Sequence, residues 1–195
     1  MGIIAIAGPV IAPFDPDRQV VGMRYAEPFT QFVLGGDEFG RDILSRIIVG
    51  ARVSLIVGFS ATALAGISGV ILGIFSGYFG GKVDLLVQRM IDTLQAFPSL
   101  VLAMVFVVAL GPSPLSVVIA VAVPSVPLST RVTRSVALQV TQLDYVTAAE
   151  AIGAGAARIM WRHILPQTVA PFIVIFSIGV GQAIVTEATL GFIGL

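Results

Sequence analysis

The chain has 195 residues, 56% hydrophobic and 11% charged; dropping three Tyr and counting 21 Gly brings the apolar share to about 65%, against roughly 45–50% in soluble domains. A soluble globule of this size has no interior large enough for so much apolar surface, so an ordinary water-soluble domain is excluded. Eleven basic against eleven acidic residues exclude a nucleic-acid binder acting by net charge, and no Cys with a single His leaves no thiolate chemistry or His-rich metal centre. The composition is that of an integral membrane protein.

Taken in order, Met1 to Phe14 is uncharged and apolar, but 14 residues reach only about 21 Å as a helix. It lacks the basic start of a signal peptide and reads as a partial first transmembrane helix. Gly194-Leu195 ends inside an apolar stretch, so both ends look cut from a longer chain. Residues 15–52 form a polar segment. Its stretch Gly35–Arg46 opens with acids, pairs Asp37 with Arg41 and Asp42 with Arg46 at i,i+4, and lines Phe39, Ile43 and Ile47 on one face. That pattern predicts an amphipathic helix lying on the membrane before the chain enters it at Val53. A paired-carboxylate site at Asp37, Glu38 and Asp42 is the alternative, disfavoured by the interleaved arginines and the lack of a nearby base or metal ligand.

Val53–Gly80 runs 28 residues without charge, about 42 Å of helix and enough to cross a ~30 Å hydrocarbon core with tilt. Gly58, Thr62 and Gly66, then Gly69, Gly73 and Gly77, recur at spacings of four. Small residues on one face allow close helix approach in lipid, so a packing face is expected, with a hinge or pore lining as the alternative. Thr93–Thr130 is a charge-free block of 38 residues, cut by Gly111-Pro112-Ser113-Pro114 into spans Thr93–Leu110 and Leu115–Thr130. Pro98 predicts a kink or helix start, and Pro124 with Pro127 an irregular helix. Gln167–Thr186 gives a fourth uncharged block, of 20 residues. The fold class is thus all-α and polytopic, about four complete transmembrane helices plus the partial N-terminal one. Five Lys and Arg on one side against six on the other are too evenly matched for the positive-inside rule to orient the chain.

Between the last two spans lies the longest polar insertion. Thr141 followed by Asp144 has capping-box spacing, predicting a short helix to Ile152 with Gly153 and Gly155 as C-cap candidates. A second short helix, Ala156–Ile164, carries Arg158 and Arg162 and is expected to stop before Pro166. Two short helices around a glycine turn read equally as a docking element or a solvated loop.

This segment also carries a family resemblance. Thr147-Ala148-Ala149, Gly153 and His163-Ile164-Leu165-Pro166 resemble the EAA loop of ABC-importer permeases, written E-A-A, three residues, G, nine residues, I, one residue, L-P. Thr147 replaces the Glu and His163 the Ile. Gly36–Arg46 is similar to the G-T-D-E-x-G-R-D-x-x-S-R signature of the dipeptide/oligopeptide/nickel subfamily, and Gly50–Leu55, Ala96–Ser99 and Glu187–Leu195 resemble further positions of its C-type subunit.

The resemblance implies a permease core over 53–195, an extracytoplasmic segment over 15–52, and cytoplasmic placement of 81–92 and 131–166. It implies a coupling loop, 135–166, in which Thr147, Ala148, Ala149, Gly153, Arg158, Arg162, His163, Leu165 and Pro166 meet an ATPase subunit. Implied partners are a second permease subunit, two ATP-binding ABC subunits, an extracytoplasmic solute-binding protein and the bilayer, in a prokaryotic cytoplasmic membrane. The implied mechanism is alternating access moving di- or oligopeptides, with nickel or another small solute as the alternative. No cofactor or metal is expected on this chain, nor an ATP site: Lys82 follows Gly81, but Ser76 stands where a P-loop needs its first Gly and Val83 where it needs Ser or Thr. Gln95, Gln182, Thr186 and Glu187 are the few polar candidates for the substrate path. A secondary transporter is disfavoured because the span interiors hold no ionisable residue, a channel because no charged ring is evident, and an intramembrane enzyme because no catalytic set is present.

Overall fold

A computed structural model describes residue 8 and residues 10–194. Most of the expected partial helix 1–14 lies outside the described residues, among which Gly8, Val10 and Ile11 are helical. The chain forms two compact units, Met1–Ile56 and Val57–Leu195. All regular structure among the described residues is helical, apart from one isolated bridge between Gly36 and Asp42.

In the first unit the expected surface helix over Gly35–Arg46 is not formed. Helix α1 (Ile43–Phe79) starts at Ile43 and passes Val53 without a break. Its start is fixed by Asp42, whose Oδ2 accepts the backbone N–H of Ser45 at 2.9 Å and the Ser45 hydroxyl at 2.5 Å, satisfying a free donor of the first turn. The acids that suggest an earlier start fold a turn instead. Asp37 Oδ1 accepts the N–H groups of Phe39 (2.8 Å) and Arg41 (2.9 Å), while Oδ2 takes Arg41 Nε at 2.7 Å and pairs with Arg46. Local side-chain to backbone bonds of this kind compete directly with helix. The preceding loop is packed backbone to backbone: a Cβ on Gly36 would lie 2.0 Å from the Met23 carbonyl oxygen. Phe32 is buried with its ring edge-on to Phe14, centroids 5.2 Å apart.

Asp37 is therefore the polar hub of this loop. Partial burial works to raise its carboxyl, but is outweighed by the backbone N–H groups of Arg41 and Phe39 and by the guanidinium groups of Arg41 and Arg46, which hold it well below the usual carboxylate range. A depressed folded value means the stabilisation is fully present above the ordinary 3.8 and is lost as pH falls below it toward the folded value. At neutral pH, Asp37→Asn is expected to make residues 18–42 more sensitive to limited proteolysis; an unchanged cleavage rate would show that the hub does not hold the loop.

The second unit takes α1 onward from Val57. Gly80 and Gly81, at φ of 60° and 49°, end α1 and begin α2 (Gly81–Gln95). The expected span Thr93–Leu110 is not one straight helix. α2 stops at Gln95, Pro98 takes an extended conformation (φ −55°, ψ 130°), and α3 (Ser99–Leu110) leaves at 90° to α2. α3 has 12 residues, about 18 Å, too short to cross alone. After Gly111, Ser113 accepts the Ser116 N–H at 3.1 Å and starts α4 (Pro114–Ala122), with Pro114 at the position where a missing N–H costs nothing.

The Pro124–Pro127 region is a single 3-10 turn, Val123–Ser125, leading into α5 (Val126–Val140), so that Pro114–Val140 is one 27-residue span candidate. Next come α6 (Asp144–Ala151), α7 (Ala156–Ile159), a π turn (Met160–Ile164) and α8 (Leu165–Ile193). The expected stop before Pro166 does not occur. At the π turn the Leu165 N–H reaches back to Met160, a five-residue step that widens the helix just ahead of the proline ring. Ala156–Ile193 is thus a third long candidate, after Ile43–Phe79 and Pro114–Val140, and the bent α2–α3 pair, counted as one span, makes a fourth.

Close packing explains how these helices hold together. A Cβ on Gly69, Gly73 or Gly77 would fall 2.4–2.6 Å from Cβ of Ser129, Thr133 and Ala137 on α5. Gly58 and Gly66 instead meet Ile184 and Phe172 of α8, and Thr62 meets Gly179. Such backbone proximity is the main source of helix association in lipid, where burial against a neighbour gains little over burial in acyl chains. Small side chains serve the same end in the core made by Ala61, Ala65, Ala103, Ala120, Ala122 and Ala183.

Candidate functional site

Three residues, 141–143, join α5 to a helical hairpin made by α6, a glycine turn and α7. The expected capping box does not form. Thr141 still continues the turn of α5 and donates its hydroxyl to the Leu138 carbonyl at 3.0 Å, so Leu143 occupies the N-cap with no side-chain cap. The other end is closed by backbone. Gly153 at φ 88° lets its own N–H reach Glu150 O at 2.9 Å and Ala154 N–H reach Ala149 O at 3.0 Å, the Schellman pair. Gly155 caps nothing behind it and instead leads into α7.

The hairpin is anchored from inside by Val146, Ile159 and Ile164, all fully buried and packed with Ile74 and Ala137 of the long helices. Each such burial contributes about 1.5–3 kcal/mol. Outward it presents Thr147, Ala148, Glu150, Arg158 and Arg162, with Ala149, His163 and Leu165 half-buried and Pro166 exposed. His163 stacks obliquely on Tyr145, centroids 5.8 Å apart. The sequence pattern does not single out the most telling residue: Ile152, at the tip beside Gly153, is 88% exposed, and Trp161 is 67% exposed. A large aliphatic side chain left exposed beside a backbone-closed turn is suited to insertion into another protein. Its only signal in sequence is an isoleucine at the turn, out of phase with the buried positions.

A cavity of about 350 Å³ opens between α1, the α4–α5 segment and α8. Thr62, Ser125, Ser129 and Gln182 give it hydroxyl and amide groups, Phe172 and Phe176 its apolar wall, and no charged residue lines it. Pro124 lines both this cavity and a more open neighbouring one that includes Gln95, Phe97 and Ser99. Gln182 and Gln95 are therefore placed at adjoining hollows. Thr186 and Glu187 line neither; Thr186 donates its hydroxyl to Gln182 O at 2.9 Å. Ser125, Ser129 and the two phenylalanines are not distinguishable in sequence from ordinary packing residues. Among the described residues no three His, Asp or Glu side chains are grouped to hold a metal ion.

Residues 69–195 match the family described as binding-protein-dependent transport system inner membrane component. Over the full chain the sequence is 41% identical to the dipeptide transport system permease protein DppC of Haemophilus influenzae, covering 68% of that protein. It is 40% identical to the di/tripeptide transport system permease protein DppC of Pseudomonas aeruginosa (98% of this chain, 65% of that one). It is also 40% identical to the probable D,D-dipeptide transport system permease protein DdpC of Escherichia coli (100% and 65%). The chain thus spans about two thirds of the length of these relatives. In fold it is similar to the crystal structure of an amino acid ABC transporter with histidines, at a TM-score of 0.54 and 18% identity, covering 79% of this chain and 77% of that one.

Proposed function

The chain belongs to the binding-protein-dependent transport system inner membrane component family, and from that premise we propose that it is the membrane-spanning subunit of an ATP-driven importer of di- and oligopeptides. One observation carries the reading: a likeness of about 40% running the whole chain, to permeases named for dipeptides. The same likeness favours peptides over nickel. A second permease would complete the path, two ATP-binding subunits would supply the energy, and an extracytoplasmic binding protein would deliver the solute at the cytoplasmic membrane. ATP hydrolysis would then be the work of a separate subunit.

In this reading the hairpin is the coupling element. Thr147, Ala148, Ala149 and Gly153 form its docking edge with Ile152 as the central anchor, Arg158 and Arg162 flank it, and His163, Leu165 and Pro166 join it to α8. The peptide path runs past Gln95 and Gln182, with Thr186 and Glu187 one turn further along α8. Neutral hydroxyl and amide groups suit the path, because they exchange hydrogen bonds with any peptide backbone without holding one charge type.

The test is co-purification of the full-length chain from detergent-solubilised membranes. An ATP-binding subunit is expected with the wild type and at least about tenfold less with Ile152→Asp, the scale of losing one interface anchor. A well-folded wild type that brings down no ATPase would sink the reading.

A further inference from the structure

Four polar side chains from three helices meet beside the hairpin. Arg134 of α5 grips Asp84 of α2 fork to fork, Nε to Oδ1 at 2.6 Å and Nη2 to Oδ2 at 2.5 Å. Ser76 of α1, fully buried, donates its hydroxyl to the same Asp84 Oδ1, and Gln88 Nε2 donates to Ser76 at 3.1 Å. The pair is shielded, with side-chain exposures of 31% for Arg134 and 19% for Asp84. Arg131 and Asp92 form a second rung between the same two helices, but both are about half exposed, where an ion pair has little effect.

Held by a two-bond fork and less exposed than the outer rung, the inner pair ties α2 to α5 the more firmly of the two, which is a stabilising role. Its position suggests a further use. The Arg134 backbone is fixed against α1, with its N 2.9 Å from where a Gly73 Cβ would be and its O 3.0 Å from that of Gly77. α5 runs within three residues into the hairpin, while α2 turns 90° into α3. Asp84 and Arg134 are thus the better shielded of the two charged contacts between the helix that leads into the hairpin and the bent pair.

Resting on the permease reading above, we infer that Asp84 and Arg134 are positioning residues, and that their ion pair carries hairpin movement from α5 to the bent α2–α3 pair. Ser76 of α1 and Gln88 hold the carboxylate at one orientation, so a shift of α5 together with α1, on which it is seated, moves α2 as well instead of sliding past it. Discrete polar contacts of this kind are how packed helices transmit a displacement.

The experiment uses the complete transporter in vesicles, with ATP hydrolysis and peptide uptake measured on the same sample. Asp84→Asn, isosteric with the original, and Arg134→Gln, shorter and uncharged, are expected to keep ATP hydrolysis but lower uptake per ATP about tenfold. The exchanged pair, Asp84→Arg with Arg134→Asp, is expected to recover most of that ratio, and Asp92→Asn to leave it unchanged. Single variants with a wild-type ratio would overturn the inference. So would variants that lose hydrolysis and uptake in proportion, since that is the signature of a merely structural pair. If the exchanged pair misfolds, Arg134→Lys decides: charge without the fork should give an intermediate ratio, and a wild-type ratio would count against the link. A wild-type complex that hydrolyses ATP and moves no peptide would instead overturn the permease reading itself, and the link with it.

Discussion

Replacing Gly73 by leucine is expected to abolish the folded bundle, and even Gly73→Ala to destabilise it by about 1–3 kcal/mol. An added Cβ would lie 2.6 Å from Thr133 Cβ, 2.7 Å from Thr130 O and 2.9 Å from Arg134 N. Two of these are backbone atoms, so no rotamer change relieves the contact. Carbon contacts settle near 3.5–4 Å, so α1 and α5 would have to part by roughly 1 Å. That separation would also loosen the contacts at Gly69 and Gly77, which are as close. Gly58→Ala should cost less, because its nearest contact, Ile184 Cγ1, is longer at 2.8 Å and the nearest backbone atom, Val180 O, lies 3.4 Å away. Gly50, in the same helix with nothing within 4 Å, is the control: alanine there is expected to be neutral or to stabilise by up to ~1 kcal/mol. Thermal midpoints of the purified protein in detergent give the ranking. A leucine variant at position 73 that melts with the wild type would refute the packing account.

Those glycines illustrate how far the sequence can be read. Spacings of four mark a small-residue face, but not that it divides, Gly58 and Gly66 toward α8 and Gly69 to Gly77 toward α5. Charge-free blocks locate the long helices because a charge is costly in hydrocarbon. The same rule does not give the start of α1, ten residues before Val53, since the helix continues past the charge-free block with Arg46 and Arg52 on it and begins where Asp42 caps its first turn. Prolines are less informative than charges. Pro98 breaks its helix into a right-angle bend and Pro166 does not break its own, although both remove the same N–H. The turn Met160–Ile164 widens ahead of Pro166 and the helix continues, whereas Pro98 stands at the N-cap of α3, two residues beyond the C-cap of α2. The hairpin is partly legible, because a glycine after a helix has a local conformational reason to be there. The Asp84–Arg134 pair is not, because its partners lie 50 residues apart and nothing local links them.

Within the hairpin, the largest functional loss is expected from Gly153→Val. Gly153 sits at φ 88° with open space around it, so a side chain would meet no clash and act only through the backbone. Left-handed conformation costs an ordinary residue about 1–2 kcal/mol, and a β-branched one is poorer still. The turn would then relax, releasing the Gly153 and Ala154 bonds to Glu150 and Ala149 and fraying the end of α6. Ile152 would lose its fixed position at the tip while Val146, Ile159 and Ile164 kept the hairpin base in place. The bundle should therefore stay folded, with an unchanged melting midpoint, while peptide uptake falls tenfold or more and ATP hydrolysis continues. Asparagine, which tolerates the left-handed region through local hydrogen bonds, should rank above alanine, and alanine above valine. That order distinguishes a conformational role from a size effect, which would put alanine first. Wild-type uptake by the valine variant would mean that the turn at Gly153 has no part in coupling.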